Sequence, residues 1–461
     1  MNCVENLVNI VNSISNELWS KWVLIALLGT GVLVIFATGG IQKKLGLALK
    51  RTANAYKKSS KSDDDGENSK GNISSIQALS TALASTIGVG NIVGVGTAIA
   101  MGGPGAIFWM WISALLGMGT KYAEIVLALT YREEDEDGIW RGGPMYVFKN
   151  GLKAPWAGTI FAICMTLVAL ISLVMNQVSA AANSLQSTFS IPPIVTGIIV
   201  TLLTALVIFG GLKRIGRVAE VLVPFMAILY CFGGAIIIIL NITHIPAAFA
   251  IIFKSAFSGH AAIGGFTGAT IAASARFGVA RGLLSNEAGC GTAPMAHASA
   301  KVKHPVEQGL FGISEVFIDT FVVCTFTALV ILVTGVWKTG ESGVTLSASA
   351  FSANLGIIGE AIVAIGIALF AFSTVLGGSW YGETSITYVF GSKSILSYKV
   401  LTLIVCFIGS ILGSDFLFSL TDVANGLAVL VNVVSVLLLL KVVSSKTKEY
   451  FSDEDIKATN N

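Results

Sequence analysis

Charge is what this sequence has least of. Only 12% of its 461 residues are Asp, Glu, Lys or Arg, about half the share found in soluble domains. With a mean hydropathy of +0.79, that excludes a soluble globular fold and leaves a polytopic membrane protein. Metal-binding spacing is also missing: His244, His260, His297 and His304 form no HExxH or similar cluster. The six cysteines (Cys3, Cys164, Cys231, Cys290, Cys324 and Cys406) contain no CxxC pair and mostly sit in apolar runs. They read as packing thiols, which implies neither a disulfide framework nor a metal site. No phosphate-binding P-loop is present, so ATP does not drive the protein directly through one. No GxSxG or HExxH motif points to the commonest membrane enzymes.

Glycine is plentiful, at 50 residues, and its placement organises the chain. Residues 84–108 read ASTIGVGNIVGVGTAIAMGGPGAIF, with Gly88, Gly90, Gly94 and Gly96 inside nine positions. Each costs a helix about 1 kcal/mol against Ala. In lipid, a broken helix is tolerated only where the freed backbone is buried in protein or lines a cavity. A break here predicts bare backbone offered to a small charged solute and its coupling ion. Two other readings compete. Gly90 and Gly94 form a GxxxG pair that serves helix packing alone in many proteins, and scattered glycines are tolerated in some spans. A dinucleotide loop needs a preceding strand and an acid about 20 residues on, and position 110 is Met.

At about 20 apolar residues per span, eleven spans are expected: 18–39, 75–100, 105–131, 156–184, 191–211, 217–241, 261–281, 307–337, 356–381, 396–414 and 419–442. Placing the N-terminus outside and the C-terminus in the cytoplasm puts every Lys and Arg on the inner side except Lys21, Lys121, Lys254 and Lys338. That count includes Arg276 and Arg281 as inner-loop residues, and it matches the positive-inside rule. Glu5 and Glu17 precede the first apolar run, so the beginning reads as a signal anchor rather than a cleaved signal peptide. The organisation follows as an N-terminal transmembrane helix (1–40), a basic, Ser-rich cytoplasmic linker with an amphipathic start (41–74), a first five-span half (75–241), an outer lid helix (242–260), a second five-span half (261–442) and a cytoplasmic tail (443–461). Residues 282–304 read as an inner loop with short helices. Five spans per half is an odd number, so the halves are inverted. Gly264, Gly265 and Gly268 interrupt the leading span of the second half as Gly88–Gly96 interrupt that of the first. Paired Gly-broken spans in inverted halves point to a transporter's binding site.

Four stretches carry a family resemblance: ALSTALASTIGVGNIVGVGTAIAMGGPGAIFW, RGGPMYVF, ARGLLSNEAGCGTAPMAHASA and LFAFSTVLGGSWYGET. Together they resemble the alanine/glycine:cation symporter family, over residues 70–440. The resemblance implies an all-α fold of the bacterial leucine-transporter type. That fold has a 5+5 inverted-repeat core, here with one extra N-terminal helix, and two broken helices. It implies symport of a small neutral amino acid with Na⁺, or in some members H⁺.

An amino acid arrives as a zwitterion whose two charges must be resolvated. The half-helix after the first break offers free N–H groups and a positive dipole end, so the amides of Val89, Gly90 and Asn91 are the expected carboxylate site. Carbonyls freed around Gly264, Gly265, Phe266 and Thr267 would take the ammonium, with Phe266 as a wall or simply packed, and Thr270 belongs to the same segment. Na⁺ wants oxygen ligands. The resemblance assigns it the carbonyls of Ala84, Ile87 and Phe370 and the hydroxyls of Ser373 and Thr374, with Thr374 also beside the substrate. Asn91 resembles a second-sodium ligand of the leucine transporter. Gln177 is polar at membrane depth and either touches substrate or bonds another helix. Gly378 stands where the family carries Trp, which implies room for a longer side chain such as glutamine. Among intramembrane charges, Lys121 and Glu124 are spaced to pair. Asp319 lines an ion path or meets a structural partner, and Arg281 with Glu287 is a candidate inner latch.

The sequence therefore reads as a multi-pass cell-membrane symporter whose partners are the bilayer and a small neutral amino acid. No nucleic acid and no obligate protein partner are inferred. A transporter of another small zwitterion and a channel are the alternatives.

Overall fold

The computed structural model describes residues 10–59 except 12 and 16, then 70–257, 271–412 and 415–452. Among them the chain is helical apart from a hairpin of two short antiparallel strands, β1 (Glu133–Glu134) and β2 (Trp140–Arg141), and two isolated bridges. Seven described helices are long and apolar enough to cross a bilayer, or up to nine if each of two bent helix pairs is one span.

The first helix, α1 (Val23–Thr38), stops where Gly39 and Gly40 take positive φ of 69° and 84°. The chain turns by 71° there into the amphipathic α2 (Leu45–Ser59). This helix is not a solvated linker. Ala48 is buried, Thr52 Oγ1 donates to Ser314 Oγ at 3.0 Å, and Tyr56 OH lies 3.0 Å from Ser80 Oγ. Residues 60–69 of the expected linker lie outside the described residues.

The first broken span follows. Ser74 caps α3 (Ser75–Thr86) through a reciprocal bond with Gln77, which satisfies two end donors. The helix stops at Thr86. The chain then bends by 50°, winds through a π turn at Gly90–Gly94 and resumes as α4 (Val95–Gly102). Then come α5 (Ala106–Thr130), α6 (Pro155–Phe189), α7 (Pro193–Ile208), α8 (Gly211–Leu240) and α9 (Ile245–Phe257), the segment expected as an outer lid. On α7 and α8, Leu202, Leu206, Val221, Phe225, Ile228 and Phe232 are exposed. An apolar belt of that kind is unfavourable in water at about 25 cal/mol per Å² and is what lipid covers. On the other side, α9 packs its Phe253 and Phe257 edge-on against Phe108 of α5.

The second half opens with α10 (Ile271–Asn286), at 16 residues half the length of the longest spans. The earlier part of its expected span, with Gly264, Gly265, Phe266, Thr267 and Thr270, lies outside the described residues. A Cβ on Gly102 would meet Ser274 and Phe277, so α10 runs alongside α4. Arg276 and Arg281 therefore sit within a helix beside α4, and the assignment of both to an inner loop is corrected. After Asn286 the chain is irregular, with positive φ at Glu287, Gly289 and Gly291, before the five-residue α11 (Ala293–His297). Residues 285–300 are buried throughout, so this stretch is a plug inside the bundle rather than a surface loop. The remaining helices are α12 (Pro305–Thr334), α13 (Gly343–Leu355), α14 (Ile357–Phe390), α15 (Ile395–Ile411), α16 (Asp415–Leu438) and α17 (Leu440–Ser452). Gly377 lets α14 meet α3, since a Cβ there would fall 2.9 Å from Ser85 Cβ.

Candidate functional site

A cavity of about 190 Å³ opens at the first break. Val89, Gly90, Val93 and Gly94 form one wall and Thr97 extends it, while α6 contributes Asn176 and Gln177 and α10 contributes Arg281, Leu284 and Ser285. Gly90 and Gly94 do not pack against a neighbouring helix. Nothing lies within 4 Å of a Cβ built on Gly94, and on Gly90 only Ser285 Cα comes to 4.0 Å. The GxxxG packing reading therefore fails at this pair. Gly96 is the packing glycine, 2.6 Å from the Gly343 carbonyl by the same measure.

The three amides expected to bind a carboxylate divide. Asn91 N–H donates to the Gly88 carbonyl at 3.2 Å, so it is already used. Among the described residues no hydrogen bond takes the N–H of Val89 or Gly90, and both residues line the cavity. The Asn91 side chain braces the break instead. Its Oδ1 accepts from Gly88 N–H at 2.9 Å, and its Nδ2 donates to Asp319 Oδ1 at 2.6 Å. Asp319 also accepts from Ser285 Oγ at 3.0 Å and Thr320 Oγ1 at 2.8 Å.

Behind Gly88 the expected sodium ligands converge. Ser373 Oγ donates to the Ala84 carbonyl at 3.0 Å and the Phe370 carbonyl at 2.8 Å. Thr374 Oγ1 reaches the Phe370 carbonyl at 3.0 Å and the Ser85 carbonyl at 3.4 Å. Ile87, at the end of α3, is fully buried beside them. A Cβ on Gly88 would lie 2.7 Å from Thr374 Oγ1 and 3.8 Å from Gln177 Oε1, which belongs to the cavity lining, so only glycine fits between this cluster and that side chain. Hydroxyls and carbonyls alone suit a hard monovalent cation. The described residues hold no cluster of His, Cys, Asp and Glu suited to a metal ion.

Gly378 departs from expectation. A Cβ there would fall 2.5 Å from Leu173 Cβ, so Leu173 fills the space that a missing indole would leave. Trp380 is remote from the cavity walls as well: its Nε1 donates to the Met295 carbonyl at 3.1 Å, and Arg141 lies over its ring. The charge pairings differ too. Lys121 Nζ meets Glu315 Oε1 at 3.1 Å, not Glu124. Glu287 accepts from Ser85 Oγ at 3.2 Å and Thr292 Oγ1 at 2.5 Å, so it forms no latch with Arg281. Glu124 accepts from the amides of Gly289 and Gly291, both at 3.0 Å, and from Asn432 Nδ2.

Sequence reasoning missed Asn176, Ser285 and this role of Glu124. Asn176 was visible as the neighbour of Gln177, and its Oδ1, like Gln177 Oε1, is buried without a partner. It also missed three π-helical segments at the site: Gly90–Gly94, Val168–Met175 before Asn176, and Phe317–Cys324 around Asp319. A π turn widens the helix, re-aims the following side chains and is frequent at functional sites.

A buried helix broken at glycines, open amides on a small polar cavity and a hydroxyl–carbonyl cradle behind it define an ion-coupled membrane transporter. The comparisons agree and make the class specific. The family model described as the sodium:alanine symporter family matches residues 4–461. An uncharacterized transporter of Haemophilus influenzae is 43% identical, covering 96% of each chain. The sodium/alanine symporter AgcS of Methanococcus maripaludis is 42% identical, over 96% of this chain and 97% of that one. The probable sodium/glutamine symporter GlnT of Bacillus subtilis is 37% identical, over 97% and 91%. MhsT, solved in complex with L-phenylalanine, shares the fold with a TM-score of 0.59 at 12% identity, over 80% of this chain and 89% of that one. The chain belongs to the sodium:alanine symporter family, whose members are transporters and not enzymes.

Proposed function

We propose that the protein is a secondary active symporter that couples uptake of a small neutral amino acid to Na⁺ by alternating access. The observation that carries this reading is the place of Gly88, against Thr374 of the proposed sodium cradle (Ala84, Ile87, Phe370, Ser373 and Thr374) and one residue from Val89 on the cavity wall. The open amides of Val89 and Gly90 at the start of the second half-helix hold the carboxylate. The carboxamide oxygens of Asn176 and Gln177, each short of a donor, hold the ammonium. This adds two acceptors to the carbonyls expected around Gly264–Thr267. Na⁺ binding ties α3 to α14 and so shapes the wall that the substrate meets. Such coupling is reciprocal and worth about 1–3 kcal/mol.

Alanine or glycine is the first reading for the substrate. Glutamine is the second, favoured by Asn176, Gln177 and Arg281 on the cavity wall rather than by Gly378. The eleven-span, 5+5 inverted architecture with the N-terminus outside accommodates this cycle, and H⁺ stands as the alternative coupling ion. The test is uptake of labelled alanine, glycine and glutamine into proteoliposomes under an imposed Na⁺ gradient, then an imposed pH gradient. Saturable, Na⁺-driven accumulation of one of them is expected. Ion flux without concentrative uptake, from folded protein, would replace the symporter with a channel.

A further inference from the structure

Next to the cradle lies a buried charge cluster that the movement of Na⁺ and a zwitterion leaves unused. Glu315 is fully buried, one helical turn from Asp319. Its Oε1 accepts from Lys121 Nζ at 3.1 Å and from Thr86 Oγ1 at 2.9 Å, and its Oε2 lies 3.0 Å from His297 Nε2. Thr86 is the last residue of α3. The other ring nitrogen, His297 Nδ1, lies 2.7 Å from Gln308 Nε2, which also donates to the carbonyl of Ser75, the first residue of α3, at 3.2 Å. One connected network therefore grips the half-helix that carries Ala84 at both ends. The ionisable groups facing it are Lys121 and Glu124 from α5, Glu287 and Cys290 from the plug, Tyr381 from α14, and Arg132, which donates to the carbonyls of Ala298 and Ala300.

Two independent features point to a place for a proton. The first is charge. Buried Glu315 meets Lys121 Nζ with one oxygen and His297 Nε2 with the other, so its carboxylate stands in place to compensate an imidazolium. The second is Gln308. Its residue is fully buried and its Oε1 has no partner. With Nε2 toward His297, the ring must accept at Nδ1 and donate from Nε2, so it is neutral. With the amide turned, Oε1 would accept from a protonated Nδ1, so the choice of amide orientation is a choice of ring charge. The orphaned oxygen is the acceptor that such a proton requires.

The geometry points to His297, flanked by Gln308 and Glu315, as a proton-binding site that governs the hold on the inner half of the first broken helix. The proton comes from water and adds to the Nδ1 lone pair, and nothing leaves. The amide turns to receive it, and Ser75 loses its donor in the same step. Protonation thus loosens the first turn of α3. The site stands on its own geometry. Its consequence for transport rests on the symport reading, through Ala84.

The test uses the full chain in detergent and in proteoliposomes. The thermal unfolding midpoint is followed from about pH 5 to about pH 8, where a histidine's charge changes, for the parent protein, His297→Gln and Gln308→Glu. The parent is expected to show a one-proton step that His297→Gln abolishes and Gln308→Glu displaces along the pH axis. A flat parent profile, a step that survives His297→Gln, or a midpoint unmoved in Gln308→Glu overturns the proposal. If His297→Gln does not fold, the Gln308→Glu displacement decides. In proteoliposomes, Na⁺-driven uptake is expected to accelerate as the pH inside falls, with that dependence lost in His297→Gln. Absence of amino-acid uptake at every pH, with the unfolding step intact, would sink the symport reading and uphold the proton site.

Discussion

Two glycine-rich interruptions among the described residues are treated in opposite ways. At the first, between Thr86 and Gly94, the amides of Val89 and Gly90 face a cavity. At the second, between Asn286 and Ala293, Glu124 reaches across from α5 and takes the amides of Gly289 and Gly291, while Asn432 Nδ2 donates to the Gly289 carbonyl at 2.8 Å. Unpaired amides in a membrane protein are costly. Where the protein satisfies them itself, the break is a fixed joint. Where it leaves them open onto a polar cavity, water or a ligand can satisfy them, and that asymmetry is why we propose the first break as the site and the second as scaffold.

The comparison can be broken in order of expected effect. Gly90→Val fills the cavity at the open amides and is expected to abolish alanine binding in protein that still folds. Normal binding measured by calorimetry would remove Gly90 from the site. Glu124→Ala strands two buried amides at about 1–3 kcal/mol each, so a marked fall in thermal stability is expected, with Glu124→Gln between it and the parent. An unchanged unfolding midpoint would mean that the second joint does not need its carboxylate. Thr374→Ala removes one oxygen of the cradle. Its Na⁺ half-saturation in uptake assays should rise about tenfold while the ranking of amino acids is kept, and an unchanged Na⁺ dependence would move the ion elsewhere. Asn176→Ala should weaken substrate binding by about 1 kcal/mol, several-fold in apparent affinity. No change would return the ammonium to the segment around Gly264–Thr267. Gly378→Ala should alter selectivity least, because its added methyl meets Leu173 rather than substrate. A switch in alanine-versus-glutamine preference would restore the reading that Leu173 displaced.

Much of the candidate site was legible because it is local in sequence. The four clustered glycines marked the first break, and the family resemblance singled out Phe370, Ser373 and Thr374, which share one helix. Other parts misled for a physical reason. Spacing suggested that Lys121 would pair with Glu124, three residues away. A Lys on a buried helix can reach any neighbouring element, however, and Glu315 of α12 offered the closer carboxylate. Gly378 suggested vacant space, but vacancy belongs to whatever packs opposite, here Leu173. The linker from residue 41 looked soluble by composition, yet its helical start found polar partners at Ser314 and Ser80.

The sequence by itself determined the solvent, the helical class and the place of the first interruption. Hydropathy, scarcity of charge and glycine content act along the chain, and lipid penalises any unpaired backbone wherever it occurs. Only the tertiary structure decided which interruption stays open, which carboxylate meets which amide, and that His297, Gln308 and Glu315 form one network. Those outcomes depend on groups far apart in the chain sharing one buried volume. There each donor bonds the acceptor that the packing brings within reach, whatever its distance in sequence.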